Sequence, residues 1–233
     1  MKVKSIQKTT LIDYPDKIAC TLFLFGCNFR CGFCHNPELI LEDTLETIPE
    51  KEILDFLKKR KDYLDGICIT GGEPLLSLDK EFLKQIKKLG YLIKIDTNGS
   101  YPERLKEFID EKLVDYVAMD IKGTKEKYKE IINTNIDLNK IEKSIKLISG
   151  LDDYEFRITV LYDFHNQEDL HKIAEWLNNL IGKKPKRFCL QGFQNKGKLL
   201  DKKFNNSKNV KEKDLEELKR YIQNLFEIVE VKI

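Results

Sequence analysis

A chain of 233 residues with 41% hydrophobic side chains can bury a sizeable core as one large domain or two small ones, which excludes wholesale disorder. Its 41 basic and 39 acidic side chains nearly cancel to a net charge of +2, so neither nucleic acid nor an anionic membrane is indicated as a main partner. No stretch approaches the roughly 18 apolar residues that span a bilayer, and residues 1–8 are basic without a following apolar block and cleavage site, so a cytoplasmic protein is expected.

Short β-branched or aromatic runs alternate with amphipathic ones along the chain. The predicted strands are residues 18–25, 66–70, 92–96, 114–120, 154–160 and 187–191. Helical spacing puts Phe82, Leu83, Ile86 and Leu89 on one face, with Gly90 as the stop, and Leu138, Ile141, Ile145 and Ile148 on another, ending at Gly150. Leu170, Ile173, Ala174, Leu177 and Leu180 follow Asn166 as N-cap, and Leu215, Leu218, Ile222 and Leu225 mark a final helix. Six strand–helix units in strict alternation, with no Ser/Gly-rich linker, predict an α/β fold with a parallel sheet in a single domain over residues 1–233. A closed eight-unit barrel typically takes about 250 residues, so a partial (β/α)6 TIM-type barrel fits this length better. An open doubly wound sheet fits the same pattern. Either architecture places its site at the C-terminal ends of the strands.

Gly26-Cys27-Asn28-Phe29-Arg30-Cys31-Gly32-Phe33-Cys34-His35 follows directly on the first predicted strand. A disulfide framework would leave one of these three cysteines over, in a compartment expected to be reducing. A zinc site wants four N/S ligands, and the only nearby fourth, His35, is adjacent to Cys34, which strains joint ligation. Cys31 to His35 also reads as the C-x-x-C-H haem attachment pattern, which leaves Cys27 unexplained, and Met1 and Met119 make poor axial ligands. Three thiolates on an iron–sulfur cube would leave one iron open to bind a small molecule. Cys20, Cys68 and Cys189 lie inside predicted strands without ligand spacing, as small hydrophobes would, so no second cluster is expected.

Other chemistry gathers at the later strand ends. In Thr70-Gly71-Gly72-Glu73-Pro74 the glycines and proline suffice for a turn, but they also permit close backbone approach, and Glu73 offers a carboxylate to an ammonium group. Asp96-Thr97-Asn98-Gly99 reads as a turn at Asn98-Gly99 with a carboxylate and hydroxyl before it. In Met119-Asp120-Ile121-Lys122 the period of two puts Asp120 and Lys122 on one face. Arg157 and Gln191 are further candidates, Arg157 equally as one half of a structural ion pair.

The Cys-x3-Cys-x2-Cys loop after the first strand, followed by the run Gly71, Gly72, Glu73, Pro74 after the second, resembles the signature of the radical S-adenosylmethionine superfamily. The resemblance implies a [4Fe–4S] cluster on Cys27, Cys31 and Cys34, with S-adenosylmethionine chelating the open iron. It also implies that Glu73 and its neighbours contact the methionyl amino group and that Phe33 shields the cluster and offers its backbone to the adenine. The third and fourth strand ends resemble the glycyl-radical-enzyme activases. There the likeness implies a monovalent cation held with the help of Asp96, Thr97 and Asp120, and a cosubstrate carboxylate engaged by Lys122, with Asn98 as a cofactor-binding candidate. Arg157 and Gln191 are carried along as cofactor-binding candidates.

Leu11-Ile12-Asp13-Tyr14-Pro15, Cys34-His35-Asn36-Pro37-Glu38 and Ala118-Met119-Asp120-Ile121-Lys122 are similar to the activating proteins of anaerobic ribonucleoside-triphosphate reductases, over about residues 11–194. Asp16, Phe25 and Gly32 depart from the glycine, glutamine and proline expected there. The likeness implies a 5′-deoxyadenosyl radical that takes hydrogen from a glycine of the reductase, with flavodoxin or ferredoxin as the one-electron reductant. A radical enzyme acting on a small molecule, RNA or peptide, and an electron-transfer or structural metal protein, are the other readings. Lys196, Lys198, Lys202, Lys203 and Lys208 surround a polar loop that either docks a partner or is merely solvated.

Overall fold

The computed structural model describes residues 1–41 and 43–233. In chain order these form β1 (Val3–Thr10), β2 (Ala19–Leu24), α1 (Glu50–Lys59), β3 (Gly66–Gly71), α2 (Lys80–Lys88), β4 (Leu92–Thr97), α3 (Pro102–Asp110), β5 (Tyr116–Asp120), α4 (Tyr128–Ile132), α5 (Leu138–Ile148), β6 (Tyr154–Val160), α6 (Gln167–Ile181), β7 (Arg187–Gly192), α7 (Glu212–Ile222) and β8 (Ile228–Lys232). The strands make one sheet in sequence order, with β1 and β8 at its edges. β1 runs antiparallel to β2, whereas β2–β3, β3–β4, β6–β7 and β7–β8 are parallel. The α/β class and the parallel strands agree with the sequence reading, and the six predicted strands are β2 to β7.

Two strands escaped that reading. β1 carries lysine, glutamine, serine and threonine along most of its length, as suits an edge, and so lacks the apolar run by which the others are recognised. Its antiparallel pairing corrects the expectation that every strand is parallel. β8 is five residues long with a largely half-exposed face. Helices α1, α3 and α4 likewise lie outside the set that spacing predicts. Among the described residues no helix is long and apolar enough to cross a membrane.

By compactness the chain divides into two units. The first comprises Met1–Asn28, Glu38–Thr97 and Glu103–Val117. Its core is built from Leu22, Leu24, Ile67, Ile69, Ile93 and Ile95 of β2 to β4, with Ile53 and Leu57 of α1 and Phe82, Leu83 and Ile86 of α2, all buried. Asp79 starts α2 by accepting from the Phe82 N–H at 3.0 Å, and Gly90, at φ +81°, turns the chain after it, as expected. Asp115 accepts from the Ile93 N–H at 2.7 Å while pairing with Lys87 at 2.8 Å.

The second unit comprises Phe29–Pro37, Asn98–Pro102 and Ala118–Ile233. Phe156, Ile158, Phe188 and Leu190 form its buried sheet face, and the Phe188 ring stacks on Phe226 with centroids 4.5 Å apart. Helix α6 opens on a complete capping box: Asn166 accepts from the Asp169 N–H at 2.9 Å, and Asp169 accepts from the Asn166 N–H at 3.1 Å. Gly182, at φ +76°, closes the helix. Replacing Asn166 with Ala removes one half of that box and is expected to destabilise the protein by about 1 kcal/mol, read as a lowered midpoint in urea unfolding.

Candidate active site

In the first unit, the turn after β3 is fastened to the turn after β2. The Gly72 N–H donates to Leu24 O at 2.9 Å and the Glu73 N–H to Gly26 O at 2.7 Å, immediately before Cys27. A Cβ on Gly72 would stand 2.0 Å from Gly26 O and 2.5 Å from its carbon, backbone atoms with nowhere to go, so only glycine permits this approach. Glu73 is fully buried. Its Oε1 accepts from the Leu75 N–H at 3.1 Å and from the Thr97 hydroxyl at 2.7 Å, bonds that offset the cost of burying a carboxylate. Pro74 opens the short 3-10 turn Pro74–Leu76 that presents the Leu75 N–H. Gly71, Gly72, Glu73, Pro74 and Thr97 are thus brought together.

Asp96 lies two residues from Lys94 on the same face of β4. The Lys94 ammonium, on a residue only 1% exposed, is ion-paired with Asp96 Oδ1 and lies 3.7 Å from the sulfur of Cys68, its register neighbour on β3. Lys94 is not among the sequence candidates, although its even spacing from Asp96 is a signal that marks it.

In the second unit, the loop carrying Cys31 and Cys34 is held by its backbone. The Cys34 N–H donates to Cys31 O at 3.0 Å, the Leu200 N–H to Cys34 O at 3.1 Å, the Asp201 N–H to Gly32 O at 2.8 Å and the Arg30 N–H to Ile132 O at 2.9 Å. The lysine-rich loop is therefore tied onto the cysteine loop. Phe33 packs edge-on to Phe204 at 6.0 Å, and Phe164 completes the group at 6.4 Å from Phe33 and 5.9 Å from Phe204. A Cβ on Gly32 would meet Phe204 at 2.4 Å. The Phe204 ring occupies the space a proline would fill, which accounts for glycine where the family resemblance led us to expect proline.

Asp120 pairs with two side-chain cations. Lys122 Nζ reaches Oδ2 and Arg157 Nε reaches Oδ1, each at 3.0 Å, so Arg157 does serve as half of an ion pair. Burial opposes ionisation of Asp120, but the two positive charges outweigh it and hold the carboxyl well below the usual range. Burial likewise pulls Lys122 down, and the negative charges of Asp120 and Cys31 more than restore it. Burial pushes the Cys31 thiol up to about 11, with Lys122 the largest opposing influence. Gln191 sits at the end of β7, in register with Thr159 and Lys232. Asn98 Oδ1 accepts from the Ser100 N–H at 3.0 Å and the Ser100 hydroxyl at 2.6 Å, which closes a side-chain turn in that run.

His165, given no role from sequence, is buried beneath Lys122. Its Nδ1 accepts from the Leu161 N–H at 3.1 Å, so Nε2 carries the proton and donates to Lys122 O at 3.0 Å. It fixes the backbone from which Lys122 projects.

All six cysteines are free thiols, and Cys20, Cys68 and Cys189 are buried as expected of core residues. Among the described residues, no three His, Cys, Asp or Glu side chains are placed to hold a single metal ion. A four-iron cube asks something different, one thiolate for each of three irons. His35 is engaged elsewhere, with Nε2 donating to Gln194 O at 2.6 Å and its ring 5.4 Å from that of Phe193.

A family model described as the Radical SAM superfamily matches residues 21–177. A protein of Methanocaldococcus jannaschii with the provisional name glycyl-radical enzyme activating enzyme is 37% identical over 238 residues, covering 96% of this chain and 94% of that protein. A pyruvate formate-lyase-activating enzyme of Listeria monocytogenes is 33% identical over 132 residues, covering 52% of this chain and 53% of that one. Among solved structures, SuiB of Streptococcus suis bound to S-adenosylmethionine has a similar fold, with a TM-score of 0.63 at 16% identity. That likeness covers 92% of this chain, which spans about half of SuiB, 46% of its length.

Burial lowers the pKa of His165 from 6.5 to about 4. Between those values the unfolded chain binds a proton that the folded chain does not, so stability is full above pH 6.5 and lost as pH falls towards 4. A shift of that size corresponds to about 3 kcal/mol. The expected outcome is that His165→Asn flattens the acid limb of a stability profile measured by denaturant unfolding from pH 7 to 4, relative to the parent.

Proposed function

The chain belongs to the Radical SAM superfamily, and on that premise we propose that it activates a glycyl-radical enzyme. Cys27, Cys31 and Cys34 would hold a [4Fe–4S] cluster, for which the set of three thiols is suited. When bound, such a cluster supplies one electron to the sulfonium of S-adenosylmethionine, whose C5′–S bond breaks to give methionine and a 5′-deoxyadenosyl radical, and that radical takes a hydrogen atom from a glycine Cα of the partner. The protein's own task is to bind, orient and keep water away.

Glu73, buried and fixed by Leu75 and Thr97, is suited to receive the ammonium of the methionyl group. Lys122, held by Asp120 and by the His165 bond to its carbonyl, is suited to the carboxylate. Phe33, with Phe164 and Phe204 around it, excludes water from the cysteine loop. Gly71, Gly72, Pro74 and Gln191 complete the cofactor-binding set we propose, with Arg157 acting through Asp120.

The observation that carries this reading is the Gly72 approach, which locks a buried carboxylate to the turn bearing the first cysteine. An electron carrier has no use for such a group. For the partner we propose an anaerobic ribonucleoside-triphosphate reductase, from the runs at residues 11–15 and 34–38, with flavodoxin or ferredoxin as reductant. The 33% identity to an enzyme named for pyruvate formate-lyase favours a second reading, in which the partner is of that kind.

Anaerobic reconstitution is expected to give about four irons per chain. Reductant and S-adenosylmethionine then release 5′-deoxyadenosine, and Cys31→Ala abolishes the release while Cys189→Ala retains it. A full cluster without release would overturn the activity. A glycyl EPR doublet on mixing with the reductase supports that partner, and a doublet only with pyruvate formate-lyase selects the second reading.

A further inference from the structure

We propose that the ammonium of Lys94 is a built-in cation that takes the place at Asp96 expected for a monovalent metal ion. The inference deepens the proposed function and rests on it. Lys94 projects from the middle of β4, where its charge has been taken almost wholly out of water, at 1% exposure. A buried ammonium is costly unless an opposite charge meets it, and Asp96, two residues on along the same strand face, is its carboxylate partner. Around the ammonium lie the Cys68 sulfur at 3.7 Å and the Tyr116 ring, whose centroid is 5.8 Å away. Both are soft neighbours that a cation tolerates.

A metal ion ligated by Asp96 would have to sit against this ammonium. Two positive charges a few ångströms apart repel strongly where water is excluded, and the lysine, being covalently held, cannot be displaced by dilution. Asp120, the other carboxylate expected to help, is engaged as well: in the second unit its two oxygens are taken by Lys122 and Arg157. The residues anticipated for a metal ion therefore do not fit one, and the chain supplies the charge itself.

The test compares choline chloride with potassium and sodium chloride at equal ionic strength. Two quantities are read: the melting temperature of the protein, and the dissociation constant of S-adenosylmethionine on the reconstituted enzyme. For the parent both are expected to be the same in the three salts, within twofold for the dissociation constant. Lys94→Met takes the ammonium away from the Asp96 carboxylate, so potassium or sodium should tighten S-adenosylmethionine binding tenfold or more and raise the melting temperature by several degrees. A parent whose affinity or melting temperature rises on replacing choline with either metal ion overturns the proposal, as does a folded Lys94→Met protein indifferent to the salt. The parent comparison alone decides the matter if that variant does not fold. Failure of S-adenosylmethionine to bind in any salt would count against the proposed function, and the melting temperatures would still decide for or against the internal cation.

Discussion

A charge taken out of water has to be met by an opposite charge or by hydrogen-bond donors, and each compact unit meets that demand at the C-terminal ends of its strands. In the first, Lys94 holds Asp96 while Glu73 accepts from Leu75 and Thr97. In the second, Asp120 takes Lys122 on one oxygen and Arg157 on the other. Removing the carboxylate partner of a charge as deeply buried as Lys94 costs about 3–5 kcal/mol, against less than about 1 kcal/mol for an exposed pair such as Lys58–Asp55. Within each unit the directions of these side chains are thereby fixed.

Close backbone approach serves the same end. Gly72 lets the turn after β3 bond directly to the turn after β2, so the position of Glu73 is set by main-chain hydrogen bonds rather than by a flexible side chain. Gly32 lets the Phe204 ring lie against the cysteine loop, and two further main-chain bonds from Leu200 and Asp201 secure it. The basic loop is thus a clasp on the thiol-bearing segment as well as a carrier of lysines. Buried His165 adds a neutral strut under Lys122, because burial keeps the ring uncharged and its two nitrogens are committed to backbone groups.

Much of this could be read from residue order. The spacing of Cys27, Cys31 and Cys34, the Gly-Gly-Glu-Pro turn, the Asn166 cap, the Gly90 stop and the alternation of strands and helices are local properties, fixed by the period of the side chains and the conformational range of glycine and proline. They determined the α/β class, six of the strands and the position of the thiols, and family membership bears out the chemistry they suggested. What folding alone decided lies between residues distant along the chain. Arg157 and Asp120, Phe204 and Gly32, His165 and Lys122, and Gly72 and Gly26 are neighbours only because strands and loops from separate segments pack together. The edge strand β1, polar along its length, left no periodic trace, because an edge needs only its backbone to pair. The depth of Lys94 was likewise invisible, since a lysine in a strand is ordinarily a surface residue and only the burial of both its neighbours shows otherwise.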